Sequence, residues 1–427
     1  MGWMGHKRVL ALGLLLCSME AQAVPFISYD VRANAMGGAG VAATPSASTV
    51  FTNPALSHAS QSQWAAEAAA VFRFSDPRNL QDEIDNYHSD ELESLFEAAL
   101  IAFKADSSTP TPRADLATAT QNMAAQLNRF STRAIEREVS MGLAVSLPGS
   151  LPRSLPRSLS DKPMTLVVQQ QTVGGARLVN VAQELARFVA LIDDGLNKTE
   201  KGPDDEVFNI VISGAGRNMQ SRLHSRGALI REVGVAMVRE VAWRGQALEV
   251  GIAPKYVDVT TFDSLQSLAS AATYDSQSGQ QHYSSYNVDL GVAATREGGW
   301  RGGLAIKNLI SHRYPTALAG GAIRIQPQAR VGIAHSGEWF ATALDLDLNE
   351  AKAMGLGTSS QYLSLGGELS LTKNVRLRGG YRHNISSTKA SMATIGSGFG
   401  LFGAVVDVAM SINQDGLGFS GRVGLQF

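Results

Sequence analysis

The stretch Phe340-Ala341-Thr342-Ala343-Leu344-Asp345-Leu346-Asp347-Leu348 ends in strict alternation of leucine and aspartate. Successive side chains of an extended strand leave opposite faces. Leu344, Leu346 and Leu348 therefore share one side, and Asp345 and Asp347 the other. One wholly apolar face backed by a charged one suits the wall of a membrane barrel, with leucines toward lipid and aspartates toward the lumen.

The same device recurs through the second half of the chain. Glu232-Val233-Gly234-Val235-Ala236-Met237-Val238-Arg239 shows it clearly. Strands are predicted near 229–243, 247–263, 284–296, 300–312, 321–335, 338–349, 360–371, 375–385, 391–400, 403–413 and 418–427. Their lengths exceed the ~5–6 residues usual in soluble sheets. The connections alternate too. Arg244-Gly245-Gln246, Arg296–Gly299, His335–Trp339 and Thr372-Lys373-Asn374 are tight, whereas 264–283, 313–320 and 350–359 are long. Short periplasmic turns facing longer external loops are a property of outer-membrane barrels.

The first half is less regular. Strands are predicted at Gln63–Phe74, Glu136–Leu147 and Met164–Val173, which brings the total to an even fourteen, with room for one more at 206–213. Between them lie helical insertions, about 77–134 and 177–205. Ser89 is placed to cap a helix with Asp90 and Glu91 in its first turn. Leu92, Leu95, Phe96, Ala99 and Phe103 form one face. A second helix is expected from Arg113 to Glu136. A third, Val181 to Leu196, gathers Leu185, Phe188, Val189 and Ile192. The tandem LPRS repeat over Ser150–Ser160 reads as a loop, because its prolines exclude sheet pairing.

Residues 1–23 read as a secretory signal. Lys7 and Arg8 precede an apolar core, Val9 to Met19, too short to span a bilayer as a helix, and Ala21-Gln22-Ala23 supplies the cleavage site. Cys17 is the only cysteine and lies inside this segment. The mature chain is therefore expected to form no disulfide and no cysteine–metal site. Without Lys7, Arg8 and Glu20, 35 basic residues stand against 37 acidic ones. That balance gives no reason to expect direct nucleic-acid binding.

Candidate chemistry is sparse. The histidines beyond the signal are His58, His88, His224, His282, His312, His335 and His383. His282, His312 and His383 fall at external strand ends, where Ser284, Ser285 and Asp263 suggest a serine–histidine arrangement. Polar rim residues account for the same pattern. No His-x-x-x-His spacing occurs. No catalytic, cofactor-binding or metal-binding residue is expected, and no enzyme. Lys307, Asp345, Asp347, Arg376, Arg378 and Arg382 are expected to face the lumen and pair, because charge is costly in lipid.

The last strand places Phe419, Val423, Leu425 and Phe427 on one face. It resembles the carboxy-terminal strand that outer-membrane barrels present to their assembly machinery. Near the start, Ala35-Met-Gly-Gly-Ala-Gly-Val-Ala42 followed by Thr52-Asn53-Pro54-Ala55 resembles the hatch of FadL-type outer-membrane transporters. Arg231–Arg239, Leu248–Val257 and Thr261-Phe-Asp263 resemble the conjugal-transfer TraF-type family of outer-membrane proteins. The resemblance implies a transmembrane antiparallel β-barrel of about 14 strands, an all-β chain with an N-terminal luminal hatch over 24–60 and a barrel over 61–427. Asn53, Pro54 and Ala55 then form the hatch turn.

Gly38-Ala-Gly-Val-Ala-Ala43 also matches a dinucleotide-loop pattern. However, Thr44-Pro45-Ser46 breaks the helix that such a loop requires. Gly37, Gly38 and Gly40 are better read as tight turns in a confined bore. The expected location is the bacterial outer membrane, with lipid and the assembly machinery as partners. The expected role is plasmid transfer or secretion, involving transfer-apparatus proteins. The alternatives are a channel for hydrophobic small molecules and a soluble periplasmic β-protein.

Overall fold

In a computed structural model, the described residues are 26, 29–43, 46–60, 64–76, 92–106, 109–130, 134–147, 164–181, 183, 186–187, 189–190, 192–193, 222–267, 279–352, 359–387, 390–413 and 416–426. The predicted signal, the Ser89 cap, the LPRS repeat, the 206–213 stretch and Phe427 lie outside them.

Fourteen antiparallel strands close into a barrel. They are β1 (Ala65–Ser75), β2 (Ala134–Leu147), β3 (Met164–Val179), β4 (Arg222–Trp243), β5 (Gln246–Ser267), β6 (Gln280–Thr295) and β7 (Trp300–Lys307), then β10 (Gln328–Ser336), β11 (Phe340–Asp347), β12 (Tyr362–Ser370), β13 (Val375–Asn384), β14 (Met392–Leu401), β15 (Ala404–Asn413) and β16 (Gly416–Gln426). Closure is made by β1, which pairs with β2 on one side and β16 on the other. The predicted period of two holds around the wall. In β11, Asp345 and Asp347 are buried inside while Leu344 and Leu346 are exposed outside.

The tight turns lie on one rim. Arg244 and Gly245 both take positive φ, as do Phe402 and Gly403. Two successive positive φ values match the right-handed twist of paired strands. Trp64, Trp243, Trp300 and Trp339, every tryptophan beyond Trp3, are exposed near this rim. Further up the wall, Tyr256, Tyr286 and Tyr381 point outward. From residue 246 to residue 256, a strand tilted by ~40° climbs ~25 Å, the height of a barrel's apolar band. Between these aromatic levels the outer wall is mostly aliphatic, as lipid requires. This exterior overturns the soluble-protein alternative.

Two predicted strands are broken. The 300–312 prediction stops at Lys307, where Asn308 takes a φ of 55°. The 321–335 prediction splits before β10 at Gln326-Pro327, because proline cannot extend the ladder. The chain between them forms a separate hairpin, β8 (His312–Pro315) with β9 (Ala322–Ile325). It folds into the bore. Tyr314, Ile323 and Ile325 bury themselves against inward-facing Ala228, Ile230, Val257 and Val259 of β4 and β5.

Strand ends also shift. β3 runs on to Val179 and β4 starts at Arg222, so this part of the wall stands taller than predicted. The helices fill the external loops. α2 (Leu92–Ala105) and α3 (Pro110–Phe130) pack with a helical turn at Ile192 around Phe103 and Leu116. Leu95 departs from its predicted face. It is exposed, as is Ile101. A further helix, α1 (Val31–Ala35), lies inside the barrel.

Candidate functional site: a plugged lumen and its outer vestibule

Residues 29–43 and 46–57 occupy the bore. Asp30 opens α1, its Oδ1 accepting from Arg32 N at 3.0 Å. Burial pushes the Asp30 carboxyl above its ordinary range, opposed by Arg422 and Arg32. A 3-10 turn follows at Ser48–Phe51 and another at Pro54–Ser60.

Inward charges clamp this segment to the wall. Arg32 donates to Glu368 at 2.9 Å, and Arg378 donates to the same carboxylate at 2.6 Å. Arg378 also pairs with Asp407, and Asp407 with Arg422. Arg422 continues to Glu67 at 2.9 Å and to the plug hydroxyl of Ser48 at 2.7 Å. The result is an arc of ion pairs across β12, β13, β15, β16 and β1. Beyond it, Arg330 donates to Asp347 at 2.5 Å and to Gly38 O at 3.1 Å. Asp345 accepts from Gly40 N at 2.7 Å and Val41 N at 2.9 Å. Hydrogen bonds to a charged acceptor contribute ~1.5–3 kcal/mol each.

The predicted plug residues are all in this contact zone. Gly37 and Gly38 adopt positive φ, 69° and 88°. Gly37 N donates to Thr394 at 2.8 Å. Gly40 does not need a positive φ; a Cβ there would stand 2.7 Å from that of Ala33. Asn53 donates to Val41 O at 2.8 Å and accepts from Ala55 N at 3.0 Å. Pro54 starts a 3-10 turn, and Ala55 is fully buried.

Of the predicted lumen charges, Asp345, Asp347, Arg378 and Arg382 are buried against the plug or beside it. Lys307 lies under the Phe26 ring, 5.0 Å from its centre. Arg376 is only half-buried, nearer the turn rim. Glu67, Glu232, Lys255, Asp289, Arg330, Glu368, Asp407 and Arg422 were not predicted. Most follow from strand parity: Arg422 lies opposite in phase to Phe419, Val423 and Leu425, which all face outward. Phe26 carried no such signal.

Above the plug, at the end opposite the tight turns, a cavity of about 140 Å³ opens. Arg73, Arg382, Tyr362, Met392, Phe74 and Ile412 line it, and Phe26 forms part of its floor. Phe26 also borders a deeper chamber of about 30 Å³ lined by Gln169, Gln171, Glu232 and Lys255. The Phe26 ring thus separates a vestibule large enough for a ligand from a space for a water or two. Lys255 bridges Glu232 at 3.2 Å and Asp289 at 2.9 Å within that chamber's wall.

Residues 50–347 match the family model described as F plasmid transfer operon, TraF, protein. The chain belongs to this TraF family. Solved structures of similar overall shape include a FadL homologue from Pseudomonas aeruginosa, with 10% identity and a TM-score of 0.48, covering 95% of this chain and 99% of that one. The toluene transporter TodX of P. putida gives 10% and 0.47, covering 93% and 98%. The Ralstonia pickettii toluene transporter TbuX gives 9% and 0.39, covering 94% and 99%. Identities this low transfer no residue roles. Among curated proteins, no sequence relative matches.

In the TraF-family barrel, Asp263 and Ser285 lie on the inner face and His282 on the outer one. Asp263 points inward, bonded to His224 at 2.8 Å, Arg226 at 3.0 Å and Thr316 at 2.6 Å. His282 is exposed on the outer side, where it meets Thr260 at 2.8 Å. Ser285 faces the lumen and meets the Tyr314 hydroxyl at 2.7 Å. Asp263 is instead the point where the inward hairpin is fastened. Among the described residues, no group of three or more His, Cys, Asp or Glu is placed to hold a metal ion.

Proposed function

We propose that this protein is a non-enzymatic outer-membrane passage whose vestibule receives small apolar or amphiphilic molecules and whose N-terminal plug controls their descent. One observation carries this reading: a ligand-sized cavity lies directly above a segment bonded to the wall on several sides. A plug held by many polar contacts is exchangeable in a way that covalent closure is not, because water can replace each contact. The closed barrel, together with the secretory signal expected at residues 1–23, supports an outer-membrane location. Deleting residues 24–60 should raise the permeability of reconstituted liposomes to a small aromatic probe. Permeability equal to that of the intact protein would sink the reading.

The family description favours a second reading, a component associated with plasmid transfer. The exposed Leu95 and Ile101 on the external helix α2 offer such an apparatus an apolar contact. A donor strain lacking the protein should then transfer plasmid less often. Unchanged transfer frequency counts against this role and leaves the passage reading intact.

A further inference from the structure

Arg382 is out of keeping with the rest of the lumen. The other deeply buried arginines, Arg330, Arg378 and Arg422, each hold a carboxylate. Arg382 is only 6% exposed, yet among the described residues no carboxylate forms an ion pair with it. Its guanidinium lies 4.6 Å from the centre of the Tyr362 ring, and one terminal nitrogen meets the Met392 sulfur at 3.1 Å. Its Nε has no hydrogen-bond partner. A buried cation without a counter-charge is costly, and such groups persist where something else supplies the charge.

The surroundings describe what that something is. Arg382 lines the vestibule, so the guanidinium is reachable from the external end. The same cavity presents the inward-facing Tyr362 and Met392 and borders Phe26. Among the described residues, the cavity's charged lining is three arginines, Arg73, Arg137 and Arg382, against Glu136 and Glu138. Glu138 is already held by Arg73 at 3.2 Å. That lining carries a net balance of one positive charge, and Arg382 holds an unused donor. A volume of about 140 Å³ is close to that of a cavity accepting one benzene ring.

We propose that the vestibule selects a small monoanionic amphiphile, a carboxylate on a single ring or short alkyl chain, anchored by the Arg382 guanidinium. The ring or chain lies against Tyr362 and Met392, and the carboxylate takes the free Nε–H. This deepens the passage reading and rests on it. Arg382 also flanks the plug: a Cβ on Gly38 would stand 3.5 Å from its terminal nitrogen. An anion drawn to Arg382 therefore arrives beside the plug.

The full-length protein in lipid nanodiscs tests this by titration calorimetry with benzoate, hexanoate and the uncharged benzyl alcohol. The intact protein should bind benzoate or hexanoate about tenfold or more tightly than benzyl alcohol, the worth of one charge-assisted hydrogen bond. Arg382→Met should erase that preference while still binding benzyl alcohol, and Arg382→Lys should keep part of it. Heat-modifiable gel mobility verifies that each variant is folded. Benzoate tighter than hexanoate assigns a ring; the reverse assigns a chain. Equal binding of charged and uncharged ligands by the intact protein overturns the anchor, without recourse to any variant. A preference that survives in Arg382→Met does the same. Absence of binding by all three ligands overturns the vestibule reading itself, and the anchor with it.

Discussion

At Gly291 the inner wall of the barrel comes so near the plug that no side chain fits between them. A Cβ there would collide with Asn53 Oδ1 and lie 2.8 Å from Ala55 N. Gly303 meets the Val41 carbonyl in the same way, and Gly380 the Gly37 nitrogen. These glycines work by lacking volume, since their backbone is ordinary strand. Gly291→Val should therefore act on the plug alone, at an overpacking cost of ~1–3 kcal/mol. Limited proteolysis should release the N-terminal segment faster, while heat-modifiable mobility shows an intact barrel. A proteolysis rate equal to that of the parent protein would contradict this fit. Residue parity made the lumen charges readable, because Asp345 and Asp347 can avoid lipid only by facing inward. The glycine notches were not readable. A glycine in a strand gives no sign of which distant backbone fills the space it leaves.

The element whose sequence reading failed most clearly is the β8–β9 hairpin. β9 falls in the predicted 321–335 wall strand, and Arg313–Pro315 of β8 in the long 313–320 connection. Alternation reports that one face is buried, and says nothing about what buries it. Here the burying surface is the inner face of β4 and β5. Asp263 fastens the hairpin by accepting from Thr316, while Arg226 and His224 of β4 hold the carboxylate in place. Asp263→Ala leaves those groups without their acceptor, at ~1–3 kcal/mol for each buried donor. Amide hydrogen exchange at Tyr314 and Thr316 should quicken, and exchange in β10 and β11 should not. Unchanged exchange at Tyr314 would show that apolar packing alone holds the hairpin. The first external helix is legible from its apolar spacing, whereas the second, expected over Arg113–Glu136, ends at Phe130 because β2 already begins at Ala134. Leu95 was misplaced because α2 is apolar on more than one side, which leaves its buried face undetermined by sequence.

Among the described residues, the membrane barrel is closed from within twice, by the plug below and the hairpin to one side, and a vestibule lies above the plug. The sequence by itself determined the strand number, the inward and outward sets and the rim of tight turns. All three follow from local rules: period-two side-chain alternation, the exclusion of charge from lipid, and turn residues that accept positive φ. It also marked the segment around Gly37 and Asn53 as unusual. Only the tertiary structure decided how the lumen is filled. The Arg32–Glu368 and Arg422–Glu67 pairs and the bare Gly291 all depend on residues hundreds of positions apart. Those contacts arise from closure of the barrel, which brings β1 against β16 and wraps both around the chain's own beginning. No local pattern encodes that distance, because the plug and the wall meet through shape and charge that exist only once the ring is complete.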